Sequence, residues 1–132
     1  MGLIERRIQE EFVKTRMPEA LKKIKESSKG AMDKVSVVVD WDSFGDDTAA
    51  YQNLSSIWQQ TLYGVEAVCQ DDLGRESVKH ALKKILIKNV KTREEVKAEF
   101  KKGTLTAYFD AAQGTNGSPG WTAFQKVLEE AL

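Results

Sequence analysis

The stretch VSVVVDWDSFGDD, residues 35–47, runs a β-branched segment into two aspartates, Asp40 and Asp42, on either side of Trp41. A strand that delivers two carboxylates into a loop can build a Mg²⁺- or Mn²⁺-dependent phosphoester hydrolase. One carboxylate attacks or binds the metal, and the other binds metal or handles a proton. Such a site needs further acidic groups or a lysine from neighbouring strand ends. Asp46, Asp47 and Asp110, which closes another predicted strand, are the candidates. The pattern departs from the phosphatase arrangement at Phe44, where Thr or Val is expected two residues after the second aspartate.

Read as a calcium loop with Asp40 first, the segment places Asp42 third, Gly45 sixth and Asp46 seventh. Phe44 and Tyr51 then fall on the fifth and twelfth positions, which need oxygen ligands. The simplest alternative is that Asp40 and Asp42 leave a sheet into water, while Asp46 or Asp47 caps the following helix.

Other reactive groups are sparse. His80 is the sole histidine and Cys69 the sole cysteine, eleven positions apart in sequence. Neither a His–His metal pair nor an intramolecular disulfide is possible, and a CxxC motif is absent. Val65 and Val68 beside Cys69 suggest a half-buried thiol. The segment GTNGSPG, residues 114–120, leads to a predicted helix N-terminus but lacks the spacing of nucleotide-binding glycine loops.

The chain of 132 residues fits one domain over residues 1–132, large enough to bury a core without a metal or disulfide. Twenty basic residues balance twenty acidic ones, so no global field draws nucleic acid or an anionic membrane. Lys83, Lys84, Lys88 and Lys91 cluster in sequence, but Glu94, Glu95 and Glu99 follow closely. A single-strand binder would interleave several aromatics among such lysines, and Tyr108 stands nearly alone. The N-terminus has no apolar core of a signal peptide, and no apolar run approaches the ~20 residues needed to span a bilayer. With one cysteine, these features predict a soluble cytoplasmic protein with no cofactor.

The elements follow from periodicity. Ile4, Ile8, Phe12, Val13, Met17, Leu21 and Ile24 recur at helical spacing over residues 3–28, with Pro18 predicting a kink or a second helix start. Val35 to Val39 reads as a strand. Ala50, Leu54, Ile57, Trp58, Leu62, Val65 and Val68 predict one helix ending near residue 70, and residues 73–81 allow two further turns.

After residue 83 the period changes to two. Ile85 and Ile87, then Val96, Ala98 and Phe100, then Leu105, Ala107 and Phe109 mark three strands. Gly103 supplies the positive φ of a tight hairpin between the last two. The competing pattern is a helix from Thr92 through a Thr92–Glu95 capping box. Ser118 and Pro119 predict the start of a final helix carrying Trp121, Phe124, Leu128 and Ala131.

The fold class expected is α+β. A small, mainly antiparallel sheet of about four strands, in the order α-β-α-β-β-β-α, has helices packed on one face. Its outer face should show Lys84, Lys88, Lys97, Glu99, Thr104, Thr106 and Tyr108.

With no complete catalytic set, the function expected is a non-catalytic protein-binding domain of accessory, regulatory or immunity type. It would bind another protein or a second copy of itself, with Trp41 and Tyr108 as binding residues. The alternative is the metal-dependent hydrolase, with Asp40, Asp42 and Asp110 as ligands. A third possibility is a small-ligand pocket between sheet and helices lined by Trp41, Tyr51 and Phe109.

Overall fold

The computed structural model describes residues 2–132. A four-stranded sheet, β1 (Ser36–Val39), β2 (Lys84–Asn89), β3 (Lys97–Lys101) and β4 (Thr104–Phe109), lies in the spatial order β1-β2-β4-β3. The helices are α1 (Leu3–Glu11), α2 (Met17–Ser27), α3 (Thr48–Gln52), α4 (Leu54–Val68), α5 (Asp72–Ala81) and α6 (Trp121–Ala131). This is the mixed α+β architecture expected, with helices packed against a four-stranded sheet.

The expected antiparallel character does not hold. β1 pairs with β2 in parallel and β2 pairs with β4 in parallel; β3 alone runs antiparallel, against β4. The reason is in the connections. Helices α3, α4 and α5 carry the chain from the end of β1 back to the start of β2, so both strands point the same way. Residues 90–96 then take the chain past one strand position, and β4 returns into the gap between β2 and β3. Alternation reports which face is buried. It carries no information about strand direction.

The β3–β4 hairpin forms as expected. Lys102 and Gly103 occupy the turn with φ of 50° and 80°, the two positive values that a two-residue turn of this twist requires. The helical alternative shrinks to a single 3₁₀ turn at Arg93–Glu95, with the Thr92 hydroxyl on Glu95 at 2.8 Å.

Pro18 stands at the start of a second α-helix, one of the two outcomes expected of it. A π-helical turn, Phe12–Arg16, joins α1 to α2, and the Met17 N–H donates to the Phe12 carbonyl five residues back. The wider turn precedes a proline that can neither donate to nor pack closely on the Lys14 carbonyl. The helix predicted from Ala50 to near residue 70 divides at Asn53, whose amide donates to the Ala111 carbonyl at 2.8 Å. Asp47 caps α3 by accepting from the Ala50 N–H at 3.2 Å. The last helix starts at Trp121 rather than at Pro119, because the Ser118 hydroxyl is used in a turn, accepting from the Gly120 N–H at 2.9 Å.

The core lies between the helices and the inner face of the sheet, where Ile85, Ile87, Leu105, Ala107 and Phe109 are each 0% exposed. Trp58, Phe12, Tyr51, Phe44 and Phe124 fill the helical side. On the floor of an external cleft of about 310 Å³ between α2 and α4, the Trp58 indole N–H lacks a hydrogen-bond partner among the described residues. Gly64 lets α4 and α6 approach closely: a Cβ there would stand 2.4 Å from that of Phe124. Thr48 donates to the buried Glu5 at 2.6 Å, tying α1 to α3. That bond holds the Glu5 carboxyl below its ordinary value. Among the described residues no helix is long and apolar enough to cross a membrane.

Candidate functional site

The parallel strands β1, β2 and β4 deliver their following loops to one edge of the sheet, and the acidic residues singled out in the sequence collect there. Asp40 follows β1 and Asp110 follows β4. Asp40 caps the 3₁₀ turn Trp41–Phe44, its Oδ1 accepting from the Ser43 N–H at 3.3 Å. Ser43 Oγ donates to the Asp40 carbonyl at 2.6 Å and accepts from the Asn89 N–H at 2.9 Å.

Asn89, only 5% exposed, organises this edge. Its amide donates to the Ser43 carbonyl at 3.1 Å, and its Oδ1 accepts from the Ala111 N–H at 3.0 Å. One buried side chain thus locks together the loops that follow β1 and β4. Asp42 points into solvent, and Asp47 caps α3 with Lys91 Nζ 3.8 Å away. Among the described residues no three His, Cys, Asp or Glu side chains converge as a metal-binding group.

The remaining candidates are scattered. Trp41 turns to the helical side of the sheet, where it stacks on Tyr51 with ring centroids 6.3 Å apart and meets Phe12 edge-on at 6.4 Å. Tyr51 and Phe109 are fully packed, so the position of the suggested internal pocket is filled by core side chains. His80 is exposed on α5 and pairs with Glu76 at 2.7 Å. Cys69 is buried, and desolvation pushes its thiol from 9.0 up to about 11, which leaves almost no thiolate at neutral pH.

Tyr108 lies on the opposite side of the sheet from Trp41, on the face that no buried stripe covers. The register places Ser36, Lys84, Thr104 and Lys101 in one cross-strand row. Val38, Leu86, Thr106 and Glu99 form the next, and Lys88, Tyr108 and Lys97 the third. Val38 is 41% exposed; Leu86 and Tyr108 are half-buried. Lys97 stands over the Tyr108 ring at 5.1 Å and reaches Glu99 at 3.3 Å. Lys84, Lys88 and Lys101 have no carboxylate partner among the described residues.

Four lysines therefore mark the corners of a rectangle about 10 Å across the strands and about 13 Å along them, from strand spacing and rise. Between the lysine pairs the middle row runs Leu86, Thr106 and Glu99, with Val38 outside the rectangle on β1. Thr106 is buried, so Val38 and Leu86 are the apolar side chains that this face presents.

Lys84, Lys88, Lys97 and Tyr108 were legible as outer-face residues from alternation alone. Alternation also set Leu86 opposite Ile85 and Ile87, beside Lys84 and Lys88; Lys101 and Val38 were not singled out. For Lys101 the signal was present, two steps of alternation beyond Lys97. For Val38 it was absent, because a run of three valines gives no indication of which one faces out. No protein-family model, curated protein or solved structure matches the chain, so the reading of this surface rests on its own geometry and chemistry.

Proposed function

We propose that this chain is a small non-catalytic protein-binding domain, acting as an accessory, regulatory or immunity-type partner in the cytoplasm, and that the open face of its sheet is the binding surface. One observation carries the reading: three mutually parallel strands keep one face in solvent. Parallel strands are ordinarily covered by helices on both sides. Here the second layer is missing, and the uncovered face carries two apolar side chains, Val38 and Leu86, and an aromatic ring within reach of a partner. Tyr108 is the anchor in the next cross-strand row, with Leu86 diagonally across on β2 and Val38 one strand further on. Trp41 contributes indirectly, by fixing the strand-end loop against the helices.

The test is site-specific photo-crosslinking in the cells that make the protein. A crosslinking side chain at Val38 or at Tyr108 should give a discrete protein adduct. One at Leu73, 79% exposed on α5, should give none. Adducts at Leu73 alone, or at no position, reject the sheet-face reading.

A second reading is kept because the parallel topology favours it more than the sequence did: Asp40 and Asp110 follow parallel strands at the same edge of the sheet, although Asp42 points into solvent. In that reading these carboxylates hold Mg²⁺ or Mn²⁺ for phosphoester hydrolysis. A ligand that binds only the folded protein raises its melting temperature by mass action. A shift with millimolar Mn²⁺ that disappears in the Asp40→Asn, Asp42→Asn variant supports the hydrolase. The protein-binding reading expects no shift in either protein.

A further inference from the structure

The charge on the open face narrows the kind of partner. The chain as a whole has no net charge, yet this face sets Lys84, Lys88, Lys97 and Lys101 against the single carboxylate of Glu99. Three of those lysines have no carboxylate partner within the described residues, so their field is not cancelled locally. Many exposed lysines on protein surfaces are simply solvated. This set differs in being fixed on rigid strands beside the apolar Leu86 and Val38, in a sheet that lacks its second layer.

Lysine side chains are long enough for two of them to converge on one phosphate or carboxylate, but one small anion cannot readily pair all four corners of a set spread over about 10 by 13 Å. A chain bearing several anions can. A single-stranded nucleic acid would need a row of exposed rings to stack its bases. The face offers Tyr108 alone, half-buried and already under the Lys97 ammonium. Val38 and Leu86 instead match aliphatic side chains, and the lysines flanking Leu86 match carboxylates.

We infer that the partner is an acidic protein segment that sets aliphatic residues on Val38 and Leu86 and meets the four lysine corners with Asp or Glu side chains. This rests on the sheet-face reading above and adds the chemistry of the partner. Opposite charge across such a face steers encounter and fixes orientation, with an apolar centre supplying the area.

The experiment uses fluorescently labelled poly-L-glutamate as the acidic probe and an oligodeoxythymidylate of similar charge as the nucleic-acid probe, with binding read by anisotropy. The expected result is saturable binding of poly-L-glutamate, weakened at least about tenfold between ~50 and ~300 mM salt as screening tightens. The Lys88→Glu, Lys97→Glu variant should lose at least about tenfold, and Lys88→Gln, Lys97→Gln should lose less in the same direction. The glutamine pair keeps the test sound if charge reversal disturbs folding. Lys22→Glu, Lys23→Glu, exposed on α2, should leave binding unchanged.

Three results overturn the inference. They are failure of poly-L-glutamate to bind at low salt, an equal loss in the α2 variant, and tighter binding of the oligonucleotide through the same lysines. Photo-adducts at Tyr108 that persist when Lys88 and Lys97 are reversed would overturn the acidic partner while leaving the sheet-face reading standing. Loss of those adducts in the reversed variant supports both.

Discussion

The two faces of the one sheet obey different rules. On the inner face, consecutive rows of Ile85 with Leu105 and Ile87 with Ala107 are sealed under the helices, and each side chain is held by its neighbours. On the outer face, the same strands carry Lys84, Leu86 and Lys88, each only half-buried, with water as the second layer. The inner residues determine that the sheet exists. The outer residues are not needed for that, so the lysines beside Leu86 and Val38 are free of a role in the core. The difference also locates the risk in each substitution: inner changes should act on stability, and outer changes on binding.

The largest effect should come from the helical layer that seals the inner face. Trp58→Ala removes a side chain 1% exposed and should cost about 3–5 kcal/mol in a denaturant titration. That is enough to unfold a domain of ordinary marginal stability. An unchanged transition midpoint would mean that the helical layer does not depend on this residue, and the contrast between faces would lose its foundation.

Adjacent positions on β2 sharpen the comparison most directly. Ile87→Ala should cost about 2–5 kcal/mol. Leu86→Ala, one residue earlier on the same strand, should cost no more than about 1 kcal/mol, because the side chain is only half removed from water. Equal losses would show that the outer face is covered within the protein itself.

Between these lies the hairpin that places β4 at the centre of the sheet. Gly103→Val should cost about 1–2 kcal/mol, through its φ of 80° and a Cβ that would meet the Ala81 carbonyl oxygen at 3.2 Å. Chemical shifts should show the strands retained and the turn perturbed. A variant as stable as the parent would show that the turn adopts another conformation, and the β3 register that puts Lys97 and Lys101 at their corners would need revision.

The smallest change should be at the rim. Lys97→Ala removes the cation over Tyr108 and its ion pair with Glu99, both solvent-exposed interactions. Thermal unfolding should shift by an amount equivalent to no more than about 1 kcal/mol. A larger loss would make Lys97 a structural residue of the outer face and weaken its assignment to a partner.

What the amino-acid order determined here was local. Alternation in KKILIKN, EVKAEF and TLTAYF marked the strands and sorted their side chains into two faces, because successive residues of any strand point to opposite sides. Gly103 specified its hairpin, and Asp47 its helix start, since both depend on residues close in sequence. Strand order and direction depended instead on where three helices return the chain and on the gap that β4 fills, and no short-range period encodes either. The same held for the candidate surface. Alternation named Lys84, Lys88, Lys97 and Tyr108 as outward-facing, but β2 and β3 become flanks of one rectangle only when β4 inserts between them. Asn89, an unremarkable polar residue at the end of a strand in sequence, became the buried link between two loops for the same reason. Its hydrogen-bond partners, Ser43 and Ala111, lie 46 and 22 residues away, and only the tertiary fold brings them within reach.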